Sequence, residues 1–372
     1  MEDLSLRFPL VARIIFNNLD DESLTKIGDL NRPMNKLLDQ ERIYWLRILR
    51  KYQKNFIQFK DVWKISLRQM PVEVIKELAI AVNQFFNFLA SRHGKQWSPL
   101  HIAAERGLLQ LYQYISNKTG IINHGRPDES TALHLATQMG NLEIVKFIID
   151  NLVEKASSAN PNFGVAQLIA DNKIDINPRG IGRLTPLHVA AQYGHIEIFK
   201  TIAEVTFDKN LRCKQNFTPL HEAAYNGHLE VCKLLLLSLP DKNPRGGTDE
   251  AGITPLHFAA HQGHSDVVKL FFQYVNEKNV VDAALGFTPL HYAALKGHLE
   301  TCKILMEDNL EKNPADGTGW TPLHLAAKQL HLDVCREIGK HLIDKNPKCN
   351  YGITPLYLIE NAHIMSLDVI RL

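Results

Sequence analysis

Apolar and polar positions recur as a block along most of this chain. Threonine, proline, leucine and histidine come first, then a variable residue, a pair of alanines, two more variable residues, a glycine and often a second histidine. The first histidine of the block falls at His101, His134, His188, His221, His257, His291 and His324, and Tyr357 takes its place in a last, degenerate copy. The steps between these positions are 33, 54, 33, 36, 34, 33 and 33 residues, so a single interval is long and the rest cluster on 33. Each copy predicts a turn, a helix, a short turn and a second helix. In the copy beginning at Thr254, threonine serves as N-cap and Pro255 stands at the first helical position, where no N–H is needed. Ala259 and Ala260 allow neighbouring helices to approach closely, and Gly263 supplies the left-handed residue that ends the helix. Val267, Val268, Leu270 and Phe271 then form the buried stripe of the second helix. One such pair of helices cannot bury its apolar face alone, whereas stacked copies share a continuous core.

The block T-P-L-H-x-A-A-x-x-G-H resembles the ankyrin repeat signature. It is nearly complete at 185–195, 218–228, 254–264, 288–298 and 321–331, and weaker at 98–107, 131–140 and 354–364. The resemblance implies an all-α ankyrin repeat solenoid over 93–372, built from about eight helix-turn-helix repeats with β-hairpin loops. The copy at 354–364, with Ile359-Glu360 in place of the alanine pair, is expected to act as a terminal cap.

The turns carry their own pattern. Asn123, Asn177, Asn210, Asn313 and Asn346 each lie eight residues before a capping threonine. Proline follows the asparagine at Asn177, Asn243, Asn313 and Asn346, and these pairs are expected to build the projecting hairpins. Lys209, Lys242, Lys278, Lys312 and Lys345 precede asparagines and are themselves preceded by Asp208, Asp241, Glu277, Glu311 and Asp344. Stacking predicts parallel basic and acidic columns, read as a solvated ladder of weak surface pairs. The long step places roughly 21 extra residues within 151–180, of which 157–162 reads as loop and 165–170 as a short helical turn.

The first ninety residues lie outside this period. Pro9 opens a helix with Leu10, Val11, Ile14, Ile15 and Phe16, Asp20 to Ser23 start a second, and a third begins near Asn35. Three short helices are too small for a robust independent core and leave apolar surface for a partner. Phe8-Pro9, the Ile15-Phe16 pair, Leu19, and the register of Leu24, Ile27, Leu30, Arg32, Leu37 and Trp45 resemble an F-box, with Met34 where that family has its central tryptophan. The resemblance implies docking on the Skp adaptor of SCF-type ubiquitin ligases through Phe8, Pro9, Ile15, Phe16, Leu19, Leu24, Ile27, Leu30, Met34 and Leu37. The other reading of these helices is a plain cap on the repeat stack. The organisation expected is therefore an F-box-like helical domain at 1–52, a helical linker and N-terminal cap at 53–92, and the repeats at 93–372. Ile75, Leu78, Val82, Phe85 and Leu89 mark the amphipathic helix of that linker, which Pro71 opens.

Composition narrows the function. Of 372 residues, 45% are hydrophobic and 22% charged, which excludes a wholly disordered chain. The formal net charge of +2 offers no bulk attraction to nucleic acid or acidic membranes. No apolar run approaches membrane-spanning length, and the N-terminus does not look like a signal peptide. The five cysteines include no C-x-x-C pair, which argues against a zinc site or a disulfide framework and for a reducing, cytoplasmic or nuclear, compartment. Seventeen histidines invite metal or catalytic readings. Their repetition in every unit points instead to a structural task, and no phosphate loop, H-E-x-x-H or G-x-S-x-G occurs.

Binding is the better reading, with no enzyme activity and no cofactor. In ankyrin arrays the residue before each capping threonine points toward the concave surface. Aromatics are enriched at binding hot spots, so Trp97, Phe217, Phe287 and Trp320 are candidate partner-binding anchors, with Tyr193, Tyr225, His261 and Lys296 of the first helices completing a groove. Stacking on the next hairpin is the alternative role for each aromatic. Together these features predict a monomeric substrate-recognition subunit of an SCF-type ligase, which holds the Skp adaptor at one end and an unidentified target protein on the repeats. An ankyrin scaffold or inhibitor without a ligase link is the second reading.

Overall fold

The computed structural model describes residues 74–75, 99–123, 125, 130–159, 176–248, 251–307 and 311–361. The F-box-like segment at 1–52, the linker apart from 74–75, Trp97 and the turn expected at 165–170 lie outside the described residues. Residues 74 and 75 are helical, and Val74 and Ile75 are buried. The chain divides into two compact units, one of residues 1–127 and 131–148, the other of 128–130 and 149–372.

In the first unit α1 (Pro99–Arg106) packs on α2 (Leu109–Thr119) and on α3 (Ala132–Gln138), and α4 (Leu142–Ala159) begins there. Tyr112 is fully buried and meets Phe147 edge-on at 6.0 Å between ring centroids, while its hydroxyl donates to the Ile122 carbonyl at 2.6 Å. Helix α4 runs 18 residues and includes Ser157, Ser158 and Ala159, so these three residues are helical where a loop was expected. Leu142 to Ala159 contains no glycine or proline to stop it, and Pro161 disfavours helix at the residue before it.

The second unit alternates two layers. Its first helices are α5 (Pro186–Tyr193), α7 (Pro219–Tyr225), α9 (Pro255–Gln262), α11 (Pro289–Lys296) and α13 (Pro322–Lys328). Its second helices are α6 (Ile196–Glu204), α8 (Leu229–Ser238), α10 (Ser265–Tyr274), α12 (Leu299–Glu307) and α14 (Leu332–Lys340). Each first helix packs on the next first helix, and each second helix on the next second helix. The alanine pairs at 190–191, 223–224, 259–260, 293–294 and 326–327 are buried where the first helices meet, because only a methyl fits between backbones so close. Phe199, Leu235, Phe271, Leu305 and Ile338 fill the core from the second layer. A last helical stretch occupies 355–361.

The hairpins are minimal. Among the described residues the β structure consists of isolated antiparallel bridges, Gly125 with Thr131 and Gly246 with Ile253. Consecutive hairpins are nevertheless joined by backbone bonds: Lys214 N–H donates to the Gly182 carbonyl at 2.7 Å, Gly247 to Gln215 at 3.0 Å and Ala283 to Ala251 at 2.7 Å. Arginines add a second link that the period did not predict. Arg179 donates to the Arg212 carbonyl at 2.9 Å, Arg212 to the Arg245 carbonyl at 2.7 Å and Arg245 to the Val281 carbonyl at 3.0 Å.

The asparagines do not form the hairpin tips. The Oδ1 atoms of Asn123, Asn177, Asn243, Asn313 and Asn346 accept the backbone N–H of Leu133, Leu187, Leu256, Leu323 and Leu356, two residues beyond the capping threonine. A helix N-terminus has unpaired N–H groups, and here proline lacks one, asparagine takes the next and threonine the third. Several members of the expected acidic and basic columns are likewise engaged with backbone, and Lys278 lies over the Phe272 ring. Asp208, Asp241 and Asp344 accept the N–H groups of Asn210, Asn243 and Asn346 at 2.8, 3.1 and 2.9 Å. Lys242 donates to the carbonyls of Leu236 and Leu239, and Lys312 to that of Met306. These side chains stand beside helix ends and turns, so unpaired local backbone is reached before any neighbouring repeat.

Candidate functional site

The repeated histidines assemble the frame on which any site must rest. In six repeats the threonine side chain caps the third helical N–H, and the histidine at that position returns Nδ1 to the threonine backbone N–H. The Nδ1 contacts are 3.1 Å for Thr254–His257 and 3.0 Å for Thr288–His291. This reciprocal arrangement is a capping box with histidine in the place usually held by glutamate or glutamine. Nδ1 accepts, so the ring is neutral with its proton on Nε2. That proton is donated to the next repeat: His188 to the Phe217 carbonyl at 3.2 Å, His221 to Ile253 at 3.1 Å, His257 to Phe287 at 3.0 Å, His291 to Trp320 at 3.3 Å and His324 to Ile353 at 3.2 Å. Burial pushes His221 down to about 3, and His257 and His291 to about 4.

In four repeats a second histidine ties the repeat to the one before. His228, His264, His298 and His331 contact the carbonyls of Gln192, Tyr225, His261 and Leu295 through Nε2 at 2.9, 3.0, 3.0 and 3.3 Å. The repeats beginning at Thr218, Thr254, Thr288 and Thr321 therefore reach forward with one imidazole and backward with another, and Asn141 makes the backward contact to the Ala104 carbonyl in the repeat beginning at Thr131. Both classes of histidine carry structure, as their repetition implies. Among the described residues no group of three His, Cys, Asp or Glu side chains could hold a metal ion. Cys232 and Cys302 are buried, and burial pushes both thiols up to about 12, far from thiolate chemistry.

Between the hairpins and the first helices lies the face where partner contacts were expected. Tyr193 and Tyr225 are 43% and 40% exposed, and Lys296 is exposed, so all three are presented to solvent. His261 is half-buried, its ring edge-on to Tyr292 at 5.8 Å. Phe217 is half-buried between the rings of His221 and Phe258, at 5.2 and 5.0 Å. Trp320 is half-buried over His324, with the Lys328 ammonium 5.2 Å from its ring centroid.

Phe287 departs from the expectation. It is only 9% exposed, stacked on His291 at 5.0 Å and edge-on to Tyr292 at 5.6 Å, and so belongs to the repeat interface rather than to an open anchor. The Tyr292 hydroxyl donates to buried Asp282 at 2.9 Å, and Asp282 also accepts the Leu285 N–H, which encloses the ring further. Phe287→Ala should therefore destabilise the protein by about 3 kcal/mol, the low end for a buried phenylalanine because the ring lies at an edge. Urea unfolding checks this; an unchanged midpoint would return Phe287 to the open face.

Sequence reasoning missed Glu222. Four residues after each capping threonine stand Leu135, Val189, Glu222, Phe258, Tyr292 and Leu325, so one carboxylate interrupts an otherwise apolar or aromatic column. Aligning the repeats on threonine would have exposed it; attention to the histidines did not. Glu222 is half-buried, burial raises its carboxyl above the usual range, and no hydrogen bond or ion pair reaches its carboxylate from any described residue.

A period of about one helical pair, a capped threonine start, a glycine stop and imidazole ties to both neighbours define a helical repeat protein of the ankyrin type. Comparison with known families agrees: the family described as Ankyrin repeats (3 copies) matches residues 68–158, 153–246 and 236–316, and the single Ankyrin repeat matches 318–350. The chain belongs to the ankyrin repeat family, whose modules bind other proteins. The match begins at residue 68, ahead of the start expected at 93, and runs across the long interval. No curated protein matches the chain. Among solved structures it is similar to the human ASB11 ankyrin repeat domain, at 23% identity and a TM-score of 0.49, covering 64% of this chain and 96% of that one. Among the described residues no helix is long and apolar enough to cross a membrane.

Proposed function

We propose that this protein is a substrate receptor of an SCF-type ubiquitin ligase, with the segment at 1–52 docking on the Skp adaptor and the repeats capturing the target protein. The observation that supports target capture is the row of side chains left open on the first helices, where Tyr193, Tyr225 and Lys296 face solvent beside a frame of satisfied backbone. Aromatic and cationic groups on a rigid face are what protein interfaces use as anchors. Adaptor docking rests on the F-box resemblance of Phe8-Pro9, Ile15-Phe16 and the leucine register that follows. The receptor performs no chemistry itself; it raises the concentration of target lysines near the ligase's catalytic partner.

The full chain, immobilised, should retain purified Skp adaptor, and Leu30→Asp or Pro9→Asp should reduce retention at least about tenfold, a loss of ~1.4 kcal/mol. The melting temperature of the repeats should stay within a degree or so, because neither position lies in them. No retention by the unaltered chain would dismiss the ligase link and leave an ankyrin interaction scaffold.

A further inference from the structure

Glu222 is the place where the repeats stop being alike. Its equivalents are aliphatic or aromatic, and Val189 and Leu325 at the same register are buried. Glu222 is half-buried and its carboxylate has no protein partner, so it keeps only part of its hydration and gains no ion pair in return, and the fold gains nothing visible from it. Its surroundings on the stack are aromatic. Phe258, the next member of the column, touches the rings of Phe217, His221 and Tyr225 at 5.0, 5.9 and 5.3 Å. Tyr225 lies three residues beyond Glu222 on α7, hence on the same side of that helix, and is 40% exposed. Tyr193 stands open on α5, which packs against α7.

Resting on the reading that the repeats capture a protein, we infer that Glu222 with Phe258 and Tyr225 forms the pocket for a basic side chain of that partner, arginine in preference to lysine. A guanidinium can lay its flat face on an aromatic ring while its N–H groups meet a carboxylate, and it is more weakly hydrated than an ammonium. The two requirements occur on one stretch of the stack: an unpaired carboxylate on α7, and the part-exposed ring of Tyr225 on the same side of that helix, in edge contact with Phe258 of α9. Because the carboxylate is already partly dehydrated in the free protein, less water must be removed when the cation arrives. Other occupants fit less well. An acidic segment would meet the same unpaired charge, and a purely apolar one would leave it buried and unsatisfied.

The test uses the full chain and labelled short peptide pools with the central residue fixed as Arg, Lys, Leu or Glu, read by fluorescence anisotropy. The Arg-centred pool should bind at least about tenfold more tightly than the Leu- and Glu-centred pools, with the Lys pool between them. Glu222→Gln should erase that preference while melting at the same or a higher temperature, and Glu222→Lys should shift the preference toward the Glu-centred pool. Equal binding of all pools, or an Arg preference that survives Glu222→Gln, would overturn the pocket while leaving protein capture by the repeats standing. A clear drop in melting temperature for Glu222→Gln would also overturn it, by giving the carboxylate a structural duty. Binding of none of the pools counts against the pocket; capture itself is then judged by whether Tyr193→Ala and Lys296→Ala, both outside the pocket, weaken cross-linking to cellular protein.

Discussion

Gly263→Val should unfold the second unit at a much lower urea concentration than the unaltered protein, with a loss of about 4 kcal/mol. Three causes add. Gly263 has φ +78°, a left-handed conformation that costs an L-residue ~1–2 kcal/mol and a β-branched one more. A Cβ there would stand 2.6 Å from His298 Nδ1, inside contact distance, so the imidazole must move. Moving it breaks the 3.0 Å contact of His298 Nε2 with the His261 carbonyl and leaves both groups unpaired, at ~1–3 kcal/mol. Gly286→Ala is the matched comparison: φ is +71°, but the nearest atom to a Cβ is the Gly317 nitrogen at 3.5 Å, so only the backbone term of ~1 kcal/mol should appear. Equal losses at Gly263→Ala and Gly286→Ala would remove the histidine from the account. The same stacking recurs at Gly194, Gly227 and Gly297, each covered by the histidine of the following repeat. Glycine is thus required here for space as much as for φ.

Acid should dissolve the stack well before its carboxylates titrate. Nδ1 of His188, His221, His257, His291 and His324 accepts a backbone N–H while Nε2–H donates to the next repeat, so a second proton would face a donor in a buried site. The unfolded chain protonates these rings near 6.5, whereas His221 is held down to about 3 and His257 and His291 to about 4 in the folded protein. Folded pKa values below the unfolded value mean that the unfolded state binds more protons at intermediate pH, so stability falls as pH falls. It should be complete above about 6.5 and decline from there toward 4. A ring held below its unfolded value loses up to ~1.4 kcal/mol per pH unit in that window, so several rings together remove a large part of a domain's stability. Melting followed by circular dichroism should be nearly flat from pH 8 to 7 and then drop steeply to pH 5. A flat profile down to pH 5 would contradict the Nδ1-acceptor arrangement.

Together the two predictions describe a frame made rigid by backbone satisfaction rather than by surface ion pairs. Salt bridges are solvent-exposed whether they join residues of one helix, as Lys200–Glu197 at 2.7 Å, or neighbouring second helices, as Lys269–Glu300 at 3.8 Å, so they add little between repeats. Rigidity between repeats is supplied by imidazole, arginine and alanine contacts. A face built this way presents Tyr193, Tyr225 and Glu222 with little freedom to rearrange, which favours binding of a complementary side chain without an ordering cost.

Much of this was legible in the amino-acid order because the determinants are local. The threonine cap, the proline after it, the alanine pair and the glycine stop act within a dozen residues, and their recurrence announced helices, period and family. The long interval was also visible, although its first part proved to extend helix α4 through Ala159 because no breaker intervened. What the order of residues left open depends on neighbours about 33 positions away. It could not say that Phe287 would be enclosed while Tyr225 stayed exposed, since both are aromatics beside the same face. Nor could it show that Lys209, Lys242 and Lys312 would turn to carbonyls at the ends of their own helices. Those outcomes follow from which groups stacking brings within hydrogen-bond reach, and from how much water it removes around each. The unpaired Glu222 is the clearest instance: a single letter in a variable position of the sequence, and a half-buried, unpaired carboxylate only once α5, α7 and α9 lie side by side.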